Sequence, residues 1–468
     1  MKWKIFIAIV YLFSSHVMAM EADSLSKAAV SDREPSLSEA AYSNFSPNND
    51  PVNDYSFRVD SIKVSGNEVT DEDIILRELT FKSGDVISQK DLDYNSERIF
   101  SLSLFTNLKL AAPTKDSPAK SSNVLIAVSE SWYIWPIPFI DIKDNAINKA
   151  TYGLDILYKN FRGRNETLEA AFGFGYDPRI SLVYNCPWLV KSQDIFLTAA
   201  IQYSNVENKS VFAERLYGSR FEQKMFSGSL TIGKRFNLFT SASLLAGYDY
   251  IETPRYVPGV SASSGNIDRI FKTGVSSTYD SRNLKQFPDF GVFLNLSYVH
   301  LGFNINGINY SVLSGDFRHY MKIIGDLSAK WRAASRITLG RNIPFYDFSR
   351  LGYGEKVRGH FNELKEGNNT YVGSFELKYP IIKEWDFSVK LPVVPKELTS
   401  YRIGIYPYIF ADAGAAQLKG HQLSMNDFYS GYGAGVIFLF LPYNIFRIEL
   451  ALNEYKKKEF IFGFGFSF

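Results

Sequence analysis

The sequence predicts an all-β transmembrane barrel of about sixteen antiparallel strands preceded by one small α+β domain, and three observations predict it. The final nine residues, 460–468, set Phe460, Phe462, Phe464, Phe466 and Phe468 at alternate positions, separated by Ile461, Gly463, Gly465 and Ser467. Alternate side chains of a strand share a face, so one face is wholly aromatic and the other nearly bare, as in a lipid-facing barrel strand. Second, aromatics make up 16% of the 468 residues while the mean hydropathy is slightly negative. Barrels combine the two because their strands alternate lipid-facing apolar and lumen-facing polar residues. Third, past the N-terminal segment no run of about eighteen apolar residues occurs, which excludes spanning helices and leaves a closed barrel as the only way through a membrane.

The N-terminus carries Lys2 and Lys4, an apolar run from Ile5 to Phe13, and a small-residue end at Val17-Met18-Ala19. This pattern predicts a secretory signal over 1–19, cleaved near Ala19. No Cys stands just after the apolar run, which argues against a lipid anchor. Residues 20–54 are rich in Ser, Asn, Asp and Pro without periodicity, the composition of a flexible leader. The formal charge of +2 includes the two signal lysines. The mature chain is therefore near neutral, which argues against nucleic acid as a partner.

Residues 55–131 read as one small domain in the order strand, helix, helix, strand, strand. Phe57, Val59, Ile62 and Val64 give a strand pattern with one slip. Thr70 is the expected cap of a first helix carrying Ile74, Ile75, Leu76 and Leu79, with acidic residues in its first turn. Ser88 is the expected cap of a second helix from Gln89. Strands follow over 105–111 and 124–128, and either is a candidate edge for an added client strand. Trp132, Tyr133, Trp135, Pro136 and Pro138 mark the boundary with the barrel, 132–468, either as an aromatic girdle or as a proline-rich linker. Strand alternation recurs over 292–298, 375–381 and 446–452, and the polar stretch 252–268 reads as a long external loop. The run 172–176, Phe-Gly-Phe-Gly-Tyr, alternates as a strand and does not form a phosphate loop.

Several motifs carry a resemblance. Val357-Arg358-Gly359-His360, Phe410-Ala411-Asp412-Ala413-Gly414 and Asp280-Ser281-Arg282-Asn283, the last followed by Pro288 and Gly291, stand in an order that resembles the BamA/TamA superfamily of outer-membrane assembly and translocation proteins, of the bacterial surface antigen type. Residues 57–128 are similar to its polypeptide-transport-associated (POTRA) domain. The resemblance implies a periplasmic POTRA domain, an outer-membrane barrel, and a role in inserting barrel proteins or translocating polypeptides. It also admits accessory periplasmic proteins or lipoproteins. Two departures stand out: His360 replaces the family's usual aromatic, and only one POTRA segment precedes the barrel, which argues against the principal assembly machine and against a two-partner secretion transporter.

The residues themselves suggest the chemistry. Phe410, Asp412 and Gly414 share one strand face, so Asp412 points into the lumen if the apolar face of Ile409 and Ala411 meets lipid. A buried carboxylate needs a partner. Arg358, beside Gly359, is the expected one, latching a loop inside the barrel, and the resemblance implies the same contact; another lumen lysine or water is the alternative. Gly463 and Gly465 weaken the closing strand, either as a soft seam or as room for a neighbour. No catalytic, cofactor or metal residues are expected; a barrel lipase and a passive pore are the competing readings.

Overall fold

A computed structural model describes residues 56–112, 120–142, 147–361, 363–392 and 394–465. The expected signal and leader, and Phe466 and Phe468, lie outside the described residues, as does the side chain of Phe464.

The N-terminal domain is built from β1 (Ser56–Ser65), α1 (Glu72–Leu76), β2 (Val86–Ser88), α2 (Gln89–Phe100), β3 (Phe105–Ala111) and β4 (Ser121–Glu130). Its sheet order is β2-β1-β4-β3, with β1 parallel to β4. The slip in the β1 pattern is a register shift between Val59 and Ile62. Phe57, Val59, Ile75, Ile99, Phe105 and Ile126 bury together as its core. Ser88 caps α2 in a reciprocal box with Asp91.

Three expectations change. Thr70 does not cap α1; Asp71 occupies that position without a side-chain bond. The Thr70 hydroxyl donates instead to Glu130 Oε1 at 2.6 Å and accepts from Asn160 of the barrel, so tertiary partners outcompete the cap. β2 is an additional strand. Residues 124–128 are no edge, because β4 is paired on one side by β1 and on the other by β3; β3 is the edge.

The barrel begins at β5 (Ile134–Ile142), so Pro136 and Pro138 belong to its first strand and not to a linker. It continues through β6 (Ala150–Phe161), β7 (Glu166–Gly175), β8 (Arg179–Val190), β9 (Ile195–Glu207), the helix α3 (Val211–Tyr217), β10 (Glu222–Arg235), β11 (Thr240–Glu252), β12 (Ile267–Asp280), β13 (Gly291–Ile305), β14 (Ile308–Ile324) and β15 (Leu327–Gly340). A loop then carries the small hairpin β16 (Ser349–Leu351) and β17 (Lys365–Gly367). The wall resumes with β18 (Asn369–Lys378), β19 (Ile382–Ser388), β20 (Ser400–Gln417), β21 (Tyr429–Leu441), β22 (Asn444–Asn453) and β23 (Lys458–Phe464), and closes between β23 and β5.

Seventeen strands of the described residues form this circle. β18 pairs with residues 408–417 of β20, and β19 with residues 400–405 of the same edge, while Tyr379 and Ile381 bridge the gap with N–H bonds to Pro407 and Ile405. They are one strand interrupted at Pro380, which cannot donate to the ladder. The wall therefore has sixteen positions. Closure joins the first and last strands, the condition for a sheet in hydrocarbon, and only β19, at the end nearer the small domain, is paired on one side alone among the described residues. Lipid-side residues are exposed, as at Ile409 (54%) and at Phe460 and Phe462 (59% each), while Tyr406, Tyr408 and Phe410 turn inward and are buried.

The small domain docks on the turns at one barrel end. Asp71 N donates to Gly163 O at 2.8 Å, and a Cβ on Gly163 would sit 2.1 Å from Val69 O, so only glycine admits this approach. Tyr94 and Ser101 bond the turn 281–290, whose Leu284 and Phe287 join the buried cluster. Glu78 is buried between Arg98 of α2 (2.8 Å) and Arg235 at the end of β10 (2.6 Å). Burial raises the Glu78 carboxyl, but Arg235 and Arg98 outweigh it and hold it at about 2.

Glu78→Ala removes the carboxylate that two buried guanidinium groups share, at a cost of about 3 kcal/mol or more. Limited proteolysis is expected to cut between the small domain and a still heat-modifiable barrel. Because the folded pKa is depressed, the wild-type clamp contributes fully above the ordinary value of 4.5 and is lost as pH falls toward about 2. The same cleavage is expected to appear over that window, and unchanged protection in both cases contradicts the clamp.

Candidate functional site: the lumen loop and the barrel seam

The loop between β15 and β18 leaves the end opposite the small domain and folds back into the lumen. Arg358 sits on it, with Nε and Nη2 donating to Asp412 Oδ2 and Oδ1, both at 2.6 Å. Its Nη1 also reaches Glu376 Oε1 at 2.9 Å and Glu449 Oε1 at 3.0 Å, and its guanidinium lies 3.8 Å from the Phe410 ring centroid. Lys330 pairs with Glu376 at 2.7 Å, Ser374 donates to Asp412 at 2.7 Å, and the Tyr408 hydroxyl donates to Glu449. Arg358, Asp412, Glu376 and Glu449 are all buried. Such a cluster persists only when each carboxylate is matched, and here two cations and two hydroxyls serve three carboxylates.

The backbone fits because the wall is bare beneath it. A Cβ on Gly431 would lie 1.7 Å from Arg358 O, and one on Gly414 2.8 Å from Val357 Cγ2. Gly359 takes φ +95° next to Asn453. Sequence reasoning missed Gly431, although Gly431, Gly433 and Gly435 alternate on one face of β21 and signalled a close approach. It also missed a second bidentate pair of opposite sense, Glu355 of the loop accepting from Arg332 of β15 at 2.7 and 2.8 Å. The loop reaches the last strand too: Glu459 of β23 accepts the N–H groups of Gly359 (2.9 Å) and Phe361 (3.1 Å).

His360, where an aromatic was expected, stacks on Tyr429 with centroids 4.2 Å apart. Its Nδ1 meets Glu363 at 2.8 Å and its Nε2 meets Glu454 at 2.7 Å. Burial lowers the imidazole pKa, but the two carboxylates outweigh it and raise it above the ordinary 6.5.

At the mouth, Glu366 accepts from the Ser210 hydroxyl and Val211 N, both at 2.6 Å, and Phe212 of α3 stacks on Phe345. Tyr346 bonds Asp268, which also holds Ala262 N and Ser263 N. The loops 208–221 and 253–266 thus pack against the inserted loop.

The motif Asp280-Ser281-Arg282-Asn283 shapes the turn on which the small domain docks. Arg282 holds Asp280 bidentately at 2.8 and 2.9 Å. Asn283 bonds Asp289, and Pro288 O accepts from Lys378 at 2.8 Å. Gly291 has φ +108°, and a Cβ there would meet Ser281 O at 2.4 Å.

The seam follows from hydrogen-bond alternation. Lys159 N bonds Tyr133 O, in register with the β5–β6 ladder, so the odd residues of β5 bond β6. The even residues turn their backbone toward β23, and two of them, Pro136 and Pro138, offer it no N–H there. Gly465 N bonds Ile445 O in register with β22, so Gly463 and Gly465 bond β22, and Phe460 and Phe462 present their backbone to β5. The glycines therefore lie off the seam ladder, and the missing donors are on β5. At the base of this edge, Trp132 N donates to Tyr443 OH and Trp135 packs edge-on at 4.9 Å against that ring.

Among the described residues no group of three or more His, Cys, Asp or Glu is arranged to hold a metal ion. An Omp85 superfamily domain profile matches residues 160–468, and a profile described as the surface antigen variable number repeat, POTRA, matches 57–131. Similar solved structures include BamA from Haemophilus ducreyi lacking POTRA domains 1–3, at 16% identity and TM-score 0.51, covering 87% of this chain and 84% of that one. CdiB from Acinetobacter baumannii (14%, TM-score 0.45, 87% and 73% covered) and CdiB from Escherichia coli (13%, 0.49, 87% and 75%) also align. No curated protein matches the chain.

Arg358→Ala leaves Asp412 and Glu449 without their cation, and a loss of about 3–5 kcal/mol is expected. The temperature at which the folded band disappears in heat-modifiability gels is expected to fall; no change contradicts the latch. A charge swap between 358 and 412 is expected not to rescue it, because an acid at 358 would face Glu376 and Glu449. For His360 the folded pKa is raised, so its contacts contribute fully below about pH 6.5 and are lost as pH rises through the folded value. Amide exchange in 357–363 is expected to quicken with pH beyond the intrinsic base catalysis, and His360→Phe to abolish that excess.

Proposed function

The chain belongs to the Omp85 superfamily, and from that premise we propose that it inserts β-strand polypeptides into the outer membrane at the β23–β5 seam, without catalytic chemistry or a cofactor. The observation that carries this reading is the pair Pro136 and Pro138 facing β23. Each missing ladder bond is worth about 0.5–1.5 kcal/mol, so this edge is weaker than its neighbours by about 1–3 kcal/mol. An opened seam exposes the outward backbone of Phe460 and Phe462, and an incoming strand satisfies it by β-augmentation. Glu459 links the inserted loop to the same strand, so the Arg358 latch supports the closed state. Residues 357–361, held against β20, β22 and β23, occupy the lumen, which favours passage at the wall over a passive central pore.

A disulfide across β5 and β23, compared with one across β12 and β13, tests the reading. Mature chain in liposomes is expected to speed folding of a client barrel, to lose that effect when the seam is locked, and to regain it on reduction. Full activity with a locked seam contradicts it. Pro136→Val with Pro138→Val restores two donors and is expected to slow client folding while raising the chain's own thermal stability; a faster or unchanged rate argues against a proline-weakened edge.

A further inference from the structure

We infer that the β19–β20 hairpin is a membrane-docked flap whose outward face enters the headgroup region of the periplasmic leaflet while its inward face carries the POTRA domain. β19 and the three residues after it alternate: Trp385, Phe387, Val389 and Leu391 are apolar, and Asp386, Ser388 and Lys390 between them are polar. The register pairs Trp385 with Ile403, Asp386 with Arg402 and Phe387 with Tyr401, and directly opposed residues share a face.

The polar face meets the POTRA domain. Arg402 donates to Glu97 of α2 at 2.8 Å and lies 4.0 Å from the Phe100 ring centroid, and Asn107 of β3 donates to Asp386. The apolar face stays open at its β19 side, with Trp385 45% exposed and Leu391 50%, while Tyr401 of β20 packs edge-on against Phe440 and Tyr443.

What covers that face follows from its continuity with the lipid-facing wall. The same outward row runs up through Tyr379, then Leu377 and Phe375 on β18, and through Ile405 and Ile409 on β20. From Phe375 to Leu391 it measures about 50 Å of strand at about 3.4 Å per residue, and a tilt of about 40° leaves about 40 Å along the membrane normal. The apolar band of such barrels is about 25 Å tall, whereas a bilayer with its headgroups is about 40–45 Å thick. A row of that height outruns the apolar band and fits within the bilayer with its headgroups, so with its middle at the bilayer centre its lower end lies at headgroup depth, where Trp and Tyr are favoured because one part of the ring is apolar and the other polar. Pro380, which interrupts the strand, and the bulge between Ile382 and Trp385 allow the flap to bend there.

The test compares the mature chain with Trp385→Phe in phospholipid liposomes, the difference in emission isolating Trp385. Heat-modifiability of both proteins confirms folding. The expected result is blue-shifted emission, most of which is lost when the liposomes contain brominated phospholipids and little when acrylamide is added. In parallel, a nitroxide at Leu391→Cys, in a Cys186→Ser background, is expected to be more accessible to oxygen than to a nickel chelate. Emission quenched mainly by acrylamide, with greater nickel accessibility, overturns the inference, because the face is then in water. Emission shielded from both quenchers also overturns it, because a protein then covers the face.

Discussion

Hydrocarbon offers backbone groups no partner, and that single constraint organises this molecule. Among the described residues the circle closes on itself and the interruption at Pro380 is bridged by Tyr379 and Ile381, while β19, beyond that interruption, is paired by β20 alone. Against this background two prolines on one edge of β5 carry weight. At most places in a sheet a missing donor is a local defect; at a closure between first and last strands it lowers the work of separating them.

The lumen shows the complementary logic. With the wall's apolar face given to lipid, its other face must hold charge, and a charge out of water is tolerable only when matched. Arg358 among Asp412, Glu376 and Glu449, and Glu355 with Arg332, are two solutions of opposite polarity on one loop. Because Glu459 receives the same loop, lumen electrostatics and the closing strand are connected by direct contact. The POTRA domain, held at Glu78 and at the turn 281–290, completes the periplasmic end.

Much of the fold was legible in the sequence because it is written in two-residue alternation. β3 spans the residues its pattern indicated, the slip in β1 is a real register shift, and Ser88 caps α2 as local chemistry predicts. What escaped was set by distant partners. Thr70 has the local sequence of a cap, but Glu130 and Asn160 claim its hydroxyl. The partners of Arg358 beyond Asp412 come from strands far apart in sequence. The placement of Gly463 and Gly465 off the seam depends on which way each backbone group points, and a one-dimensional pattern gives the side-chain face without the ladder direction.

Amide hydrogen exchange along β23 in liposomes tests the central claim most directly. The N–H groups of Phe460 and Phe462 point to β5, and those of Ile461 and Gly463 to β22. The account predicts that the first pair exchanges markedly faster than the second and faster than amides in the middle of β12 and β13. Equal, slow exchange at all these positions would show a seam as firm as the rest of the wall and would contradict it.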